Sequence, residues 1–85
     1  MNMERRMDME SNTIPLHDIY QTAYGDYKGI KPTLIKQDRR VIFLLPDIPE
    51  TYRIITEFNG NPNVPLLDYL THLKKLRAQM ISLRG

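Results

Sequence analysis

Apolar residues from Asp18 onward fall at Tyr20, Ala23, Tyr24 and Tyr27, the i, i+3, i+4, i+7 spacing of one helical face. Asp18 stands before them with Gln21 three residues later, a spacing in which each side chain satisfies the other's orphan backbone amide. Gly29 occupies the place where a left-handed residue closes a helix. The pattern predicts a first helix over Asp18–Lys28, which tolerates Gly25 at about 1 kcal/mol relative to alanine. The tyrosines could stack bases, but their spacing, with Ala23 on the same side, reads as a core-facing stripe.

The period then changes. Lys31–Lys36 and Arg40–Leu45 are rich in β-formers and are separated by Gln37-Asp38-Arg39, which predicts a hairpin. Pro32 cannot donate to a ladder and implies an edge position for the first of these strands. Val41-Ile42-Phe43-Leu44-Leu45 shows no alternation, so both faces of the second strand should be covered. A hairpin alone is marginal in water, so other elements must lie against it.

Asp47 and Glu50 repeat the capping spacing, with Pro49 suited to a first helical turn. This acidic pair predicts a helix start; nothing in the pattern makes two carboxylates share a proton. Ile48, Tyr52, Ile55 and Phe58 should line the inner face of that second helix, and Asn59-Gly60 should end it. Beyond Pro65, Leu66, Tyr69, Leu73, Leu76, Met80 and Leu83 recur at steps of 3, 4, 3, 4 and 3, a heptad seam. Leu67, Leu70 and Ile81 widen the stripe, which suits a long helix packed on its own domain and on a partner. The predicted architecture is α+β, a β-hairpin packed against three helices in the order α-β-β-α-α, with a long C-terminal helix. Residues 1–13 read as a flexible N-terminal tail and residues 14–85 as a single α+β domain.

Composition narrows the function classes. A chain of 85 residues lies near the lower limit for a lone hydrophobic core, and with no cysteine it has no disulfide or thiolate metal site. Oligomerisation is then the natural source of further burial, so a homodimer is expected. No apolar run approaches the ~20 residues of a membrane helix, and the opening residues lack the apolar core of a signal peptide. The expected location is cytoplasmic.

Candidate chemistry is sparse. His17 and His72 are far apart, and neither has an Asp, Glu or His at ligand spacing, so surface histidines are the plainer reading. Ser11 and Ser82 have no base beside them, and the glycines form no phosphate loop. The expectation is a chain without catalytic residues, cofactor or metal. Net charge is +2, but basic residues cluster: Lys36, Arg39 and Arg40 around the hairpin, and Lys74, Lys75 and Arg77 on the long helix. These six are the candidates for nucleic-acid contact, against the commoner reading of solvated surface. The self-association candidates are Tyr69, Leu73, Leu76, Met80 and Leu83.

Asp18, Ala23, Arg40-Val41, Phe43, Phe58, Gly60, Val64 and Tyr69 together resemble the pattern of a family of small uncharacterised prokaryotic domains. The resemblance covers about residues 17 to 80 and departs at Leu45-Pro46, where an aromatic and an acidic residue are expected. Its motifs are structural, so it implies the fold and leaves activity open. Families of this kind often occur in mobile or phage-derived DNA. Two function classes follow: a non-enzymatic, self-associating accessory module, and a small basic nucleic-acid binder using the hairpin turn and the C-terminal helix.

Overall fold

A computed structural model describes residues 12–84. Six elements follow one another: β1 (Thr13–Leu16), α1 (Ile19–Tyr27), β2 (Thr33–Gln37), β3 (Arg40–Pro46), α2 (Pro49–Asn59) and α3 (Leu66–Arg84). The α+β class, the hairpin, the three helices and the long C-terminal helix all stand. The order differs by one element, because β1 precedes α1 and completes a three-stranded antiparallel sheet in the order β1-β3-β2. The tail expected over residues 1–13 lies outside the described residues as far as residue 11, and Thr13 opens β1. β2 is an edge strand, as Pro32 implies, and Pro15 sits in the other edge strand.

Helix α1 begins and ends by local hydrogen bonds. Asp18 Oδ1 accepts from the amides of Tyr20 at 2.8 Å and Gln21 at 3.3 Å, an N-cap contribution of about 1 kcal/mol. At the other end the Gly29 amide donates to Asp26 O and the Ile30 amide to Gly25 O, the double bond pattern of a Schellman motif. That motif needs a left-handed residue after the cap, and Gly29 has φ +101°. Gly25 faces the core, where a Cβ would make an ordinary 3.4 Å contact with Leu45 Cδ2.

Residues paired across strands share a face, so the register decides what the sheet buries. Leu16 and Leu34 both pair with Phe43, and Val41 and Leu45 alternate onto the same side. That side meets Tyr24, Ile30 and Ile54 in the main core, with Phe58, Val64, Tyr69 and Met80 packed around it. A second cluster joins Ala23 to Leu73 and Leu76, where α1 crosses α3. Burying a side chain such as Phe43 or Leu45 stabilises by about 1.5–3 kcal/mol, so these few contacts carry most of a small domain's stability.

Two expectations about α2 are corrected. Its N-cap is Ile48, without a side-chain bond, rather than Asp47. The Asp47 amide donates to Asn12 O beside the sheet, and its carboxylate accepts from the Tyr52 hydroxyl at 2.7 Å. The backbone of Asp47 is thus held by the strand next to it, and the helix starts later, at Pro49. The inner face is also rotated: Thr51 and Ile54 are buried, while Ile48 and Tyr52 are exposed. A polar residue takes the core position because the Thr51 hydroxyl donates to Pro46 O at 2.7 Å and is satisfied internally.

The C-terminal stripe overhangs the domain. Leu73 and Leu76 are buried and Tyr69 and Met80 half-buried, but Leu66, Leu67, Ile81 and Leu83 are exposed at the two ends of α3. The tyrosine stripe is graded in the same way, from buried Tyr24 through half-buried Tyr27 to exposed Tyr20. No described helix is long and apolar enough to cross a membrane.

Candidate functional site

The hairpin turn is two residues long, closed by the pairing of Gln37 with Arg40, and Asp38 takes the left-handed conformation at φ 59°. Asp accepts that conformation better than most side chains do, and the tight turn leaves Arg39 and Arg40 exposed side by side. The last turn of α3 arrives at the same place. Arg84 follows Met80 by four residues, so the core contact of Met80 sets Arg84 on the rim of that side.

A groove of about 530 Å³ results, lined by His17, Ile19, Arg39, Arg40, Val41, Phe43, Met80 and Arg84. A second hollow continues it around the turn, lined by His17, Gln37, Asp38, Arg39, Arg40 and Ile42. His17, Arg39 and Arg40 belong to both, so the two form one track from the hairpin turn to the end of α3. No described carboxylate is ion-paired with Arg39, Arg40 or Arg84.

Of the six candidates for nucleic-acid contact, the structure brings Arg39 and Arg40 together in this groove. Lys36, Lys74 and Arg77 are exposed but do not line it, and Lys75 is committed elsewhere, with its Nζ 2.8 Å from Asp26 Oδ2. Arg84 and His17 join the site without having been singled out. The signal for Arg84 is its i+4 relation to the core residue Met80; none exists for His17, because its position depends on β1.

A second surface lies on the far side of the sheet. Ile42 pairs with Ile35, and Leu44 pairs with Thr33 and Pro15, all alternating away from Val41, Phe43 and Leu45. None of Ile35, Ile42 and Leu44 belongs to the clusters the helices build. The expectation that both faces of β3 are covered is met on the helix side, and on the other side Ile42 is itself only 7% exposed, with Ile35 and Leu44 half-buried. Among the self-association candidates, Leu73 and Leu76 are spent on the chain's own core, Tyr69 and Met80 are packed against it, and Leu83 remains exposed.

Buried Asp26 is the most constrained acid: burial pushes its carboxyl up, but hydrogen bonds from Lys75 and His72 and their charges outweigh this and hold it below its usual range. His72 is thus half-buried and bonded to Asp26 at 2.6 Å rather than a free surface histidine. Among the described residues no three His, Cys, Asp or Glu side chains group as metal ligands would.

The family of this fold is identified by comparison: residues 11–82 match the model of a domain of unknown function, DUF5659, and the chain belongs to that family. No curated protein matches the chain. No solved structure matches it either.

Proposed function

We propose that this DUF5659 member is a non-enzymatic interaction module that self-associates, and that the outer face of its sheet is the contact. The observation that carries this reading is the two-sided apolar character of β3. Val41, Phe43 and Leu45 meet the helices, while Ile42, itself buried, and half-buried Leu44 and Ile35 form a second apolar face that no helix-built cluster includes. An antiparallel sheet that leaves one face to water alternates apolar with polar residues, and β3 does not, so an apolar outer face suits a partner. A second copy brings an identical face, and a two-fold axis makes the patch complementary to itself.

Helix α3 competes for this role less well. Its exposed Leu67 and Ile81 lie on one line with Lys74 at heptad spacing between them, and an ammonium in the middle of a seam opposes burial. The heptad residues that suit a seam, Leu73 and Leu76, are already inside the domain.

Light scattering on the purified chain at micromolar concentration tests the proposal. The expected particle has twice the 10.0 kDa chain mass, and Leu44→Lys or Ile35→Lys returns it to one chain mass with the helical spectrum intact. Leu67→Lys leaves the dimer in place. A 10.0 kDa particle from the unaltered chain rejects self-association, and a dimer broken only by Leu67→Lys moves the contact to α3.

A further inference from the structure

We propose that the track formed by His17, Arg39, Arg40 and Arg84 binds the phosphodiester backbone of nucleic acid without reading its base sequence. Three guanidiniums from the hairpin turn and the end of α3 converge on one groove, although Arg84 is more than forty residues from the other two. No described carboxylate pairs with them, and Asp38 is the single acid along the track among the described residues. A guanidinium is a planar fork of donors that matches phosphate oxygens two at a time. Placing unpaired arginines together opposes folding through like-charge repulsion, and a bound anion removes that penalty.

The shape of the track selects the anion. Two contiguous hollows share His17, Arg39 and Arg40, so positive charge extends from the turn to the helix end rather than surrounding one point. A polymer with regularly spaced phosphates fills such a track; a free phosphate occupies one part of it. The apolar lining from Ile19, Val41 and Met80 suits sugar carbons, and Phe43 is 1% exposed, so the His17 imidazole is the single ring the lining offers a base. Contacts to backbone alone position a strand and carry no sequence information, which is why base-independent binding follows. Arg84 also complements the negative end of α3, so charge removal must be read against fold stability.

Fluorescence anisotropy with a labelled oligo-dT strand and a mixed-sequence duplex, each about 20 nucleotides long, tests the site on the full chain. With three phosphates neutralised, affinity for the duplex should fall about 40-fold between ~50 and ~200 mM salt, and for the single strand about 18-fold. Arg39→Ala/Arg40→Ala should weaken binding at low salt at least tenfold and flatten the salt slope to that of about one contact. Arg84→Ala should weaken it less, and Arg53→Ala, an exposed arginine of α2 outside the track, should leave it within twofold. Circular dichroism of each variant separates lost binding from lost fold. The proposal is overturned if neither probe binds saturably at low salt, or if a labelled polyglutamate binds as tightly as the duplex. It is equally overturned if Arg53→Ala weakens binding as much as the Arg39/Arg40 pair does.

Discussion

His72 Nδ1 lies 2.6 Å from Asp26 Oδ2, across 46 residues of chain, and the Lys75 ammonium reaches the same oxygen at 2.8 Å. An ionised carboxylate only accepts, so the imidazole donates from Nδ1. Tyr27 completes the group by setting its ring edge-on to His72, with centroids 5.9 Å apart. The Asp26 side chain is 2% exposed, so this is the one deeply buried charge fastening α1 to α3 among the described residues.

Asp26→Ala should therefore destabilise the domain by about 2 kcal/mol, since it strips two charge-assisted bonds and leaves half-exposed partners that water can reach. Thermal unfolding at neutral pH measures this as a drop of roughly 10 °C in a domain of this size. The pH dependence has a fixed sign. The folded-state pKa is lowered, so the stabilisation is complete above the unfolded value and is lost as pH falls through the folded one. The gap between wild type and Asp26→Ala should close progressively below about pH 4. A gap that stays constant into strong acid contradicts the ion pairing.

The Tyr24 hydroxyl donates to Glu57 Oε1 at 2.9 Å while its ring packs against Phe58 and Tyr27. Tyr24→Phe keeps the ring and deletes the bond, with an expected loss of about 1 kcal/mol in urea unfolding. Burial, then the Glu57 bond and charge, raises the Tyr24 pKa. Stability from this group is present below the unfolded value near 10 and is lost as pH rises through the folded one. The phenylalanine variant should lack that alkaline component.

Gly29 sits at φ +101° with open space around a would-be Cβ, so alanine there meets only backbone strain. Gly29→Ala should lower stability by about 1 kcal/mol with the fold unchanged, readable from the denaturation midpoint at constant m-value.

Ile48 caps α2 with no side-chain acceptor and is exposed. Ile48→Asp should stabilise by about 1 kcal/mol, because the new carboxylate meets the free Glu50 amide and the positive end of α2. An increase in melting temperature confirms Ile48 as the cap; a decrease returns the role to Asp47.

The sequence made α1 legible because Asp18, Gly29 and the 3.6-residue spacing act within a few residues of themselves. β1 was not legible. It is four residues long, contains Pro15, and is a strand because Thr13–Leu16 pairs with Phe43–Pro46 about thirty residues on. The face of α2 was misread for a related reason, since Thr51 is core material only once Pro46 O is there to accept its hydroxyl. At the candidate site, Arg39 and Arg40 were visible as turn residues, but Arg84 becomes their neighbour through the packing of α3 on the sheet. The pairing of Asp26 with His72 and Lys75 carried no signal, so His72 read as a surface histidine and Lys75 as a nucleic-acid candidate.

By itself the amino-acid order determined what adjacent residues decide together: the caps of α1, the β2–β3 hairpin, an edge strand next to Pro32, and the long amphipathic C-terminal helix. Tertiary structure alone decided the third strand, the shared arginine groove and the partners of Asp26. The division is physical. Local hydrogen bonds and periodicity are encoded within a turn or two of chain, whereas pairing register and the burial of a single polar atom depend on groups brought near only by the collapsed core.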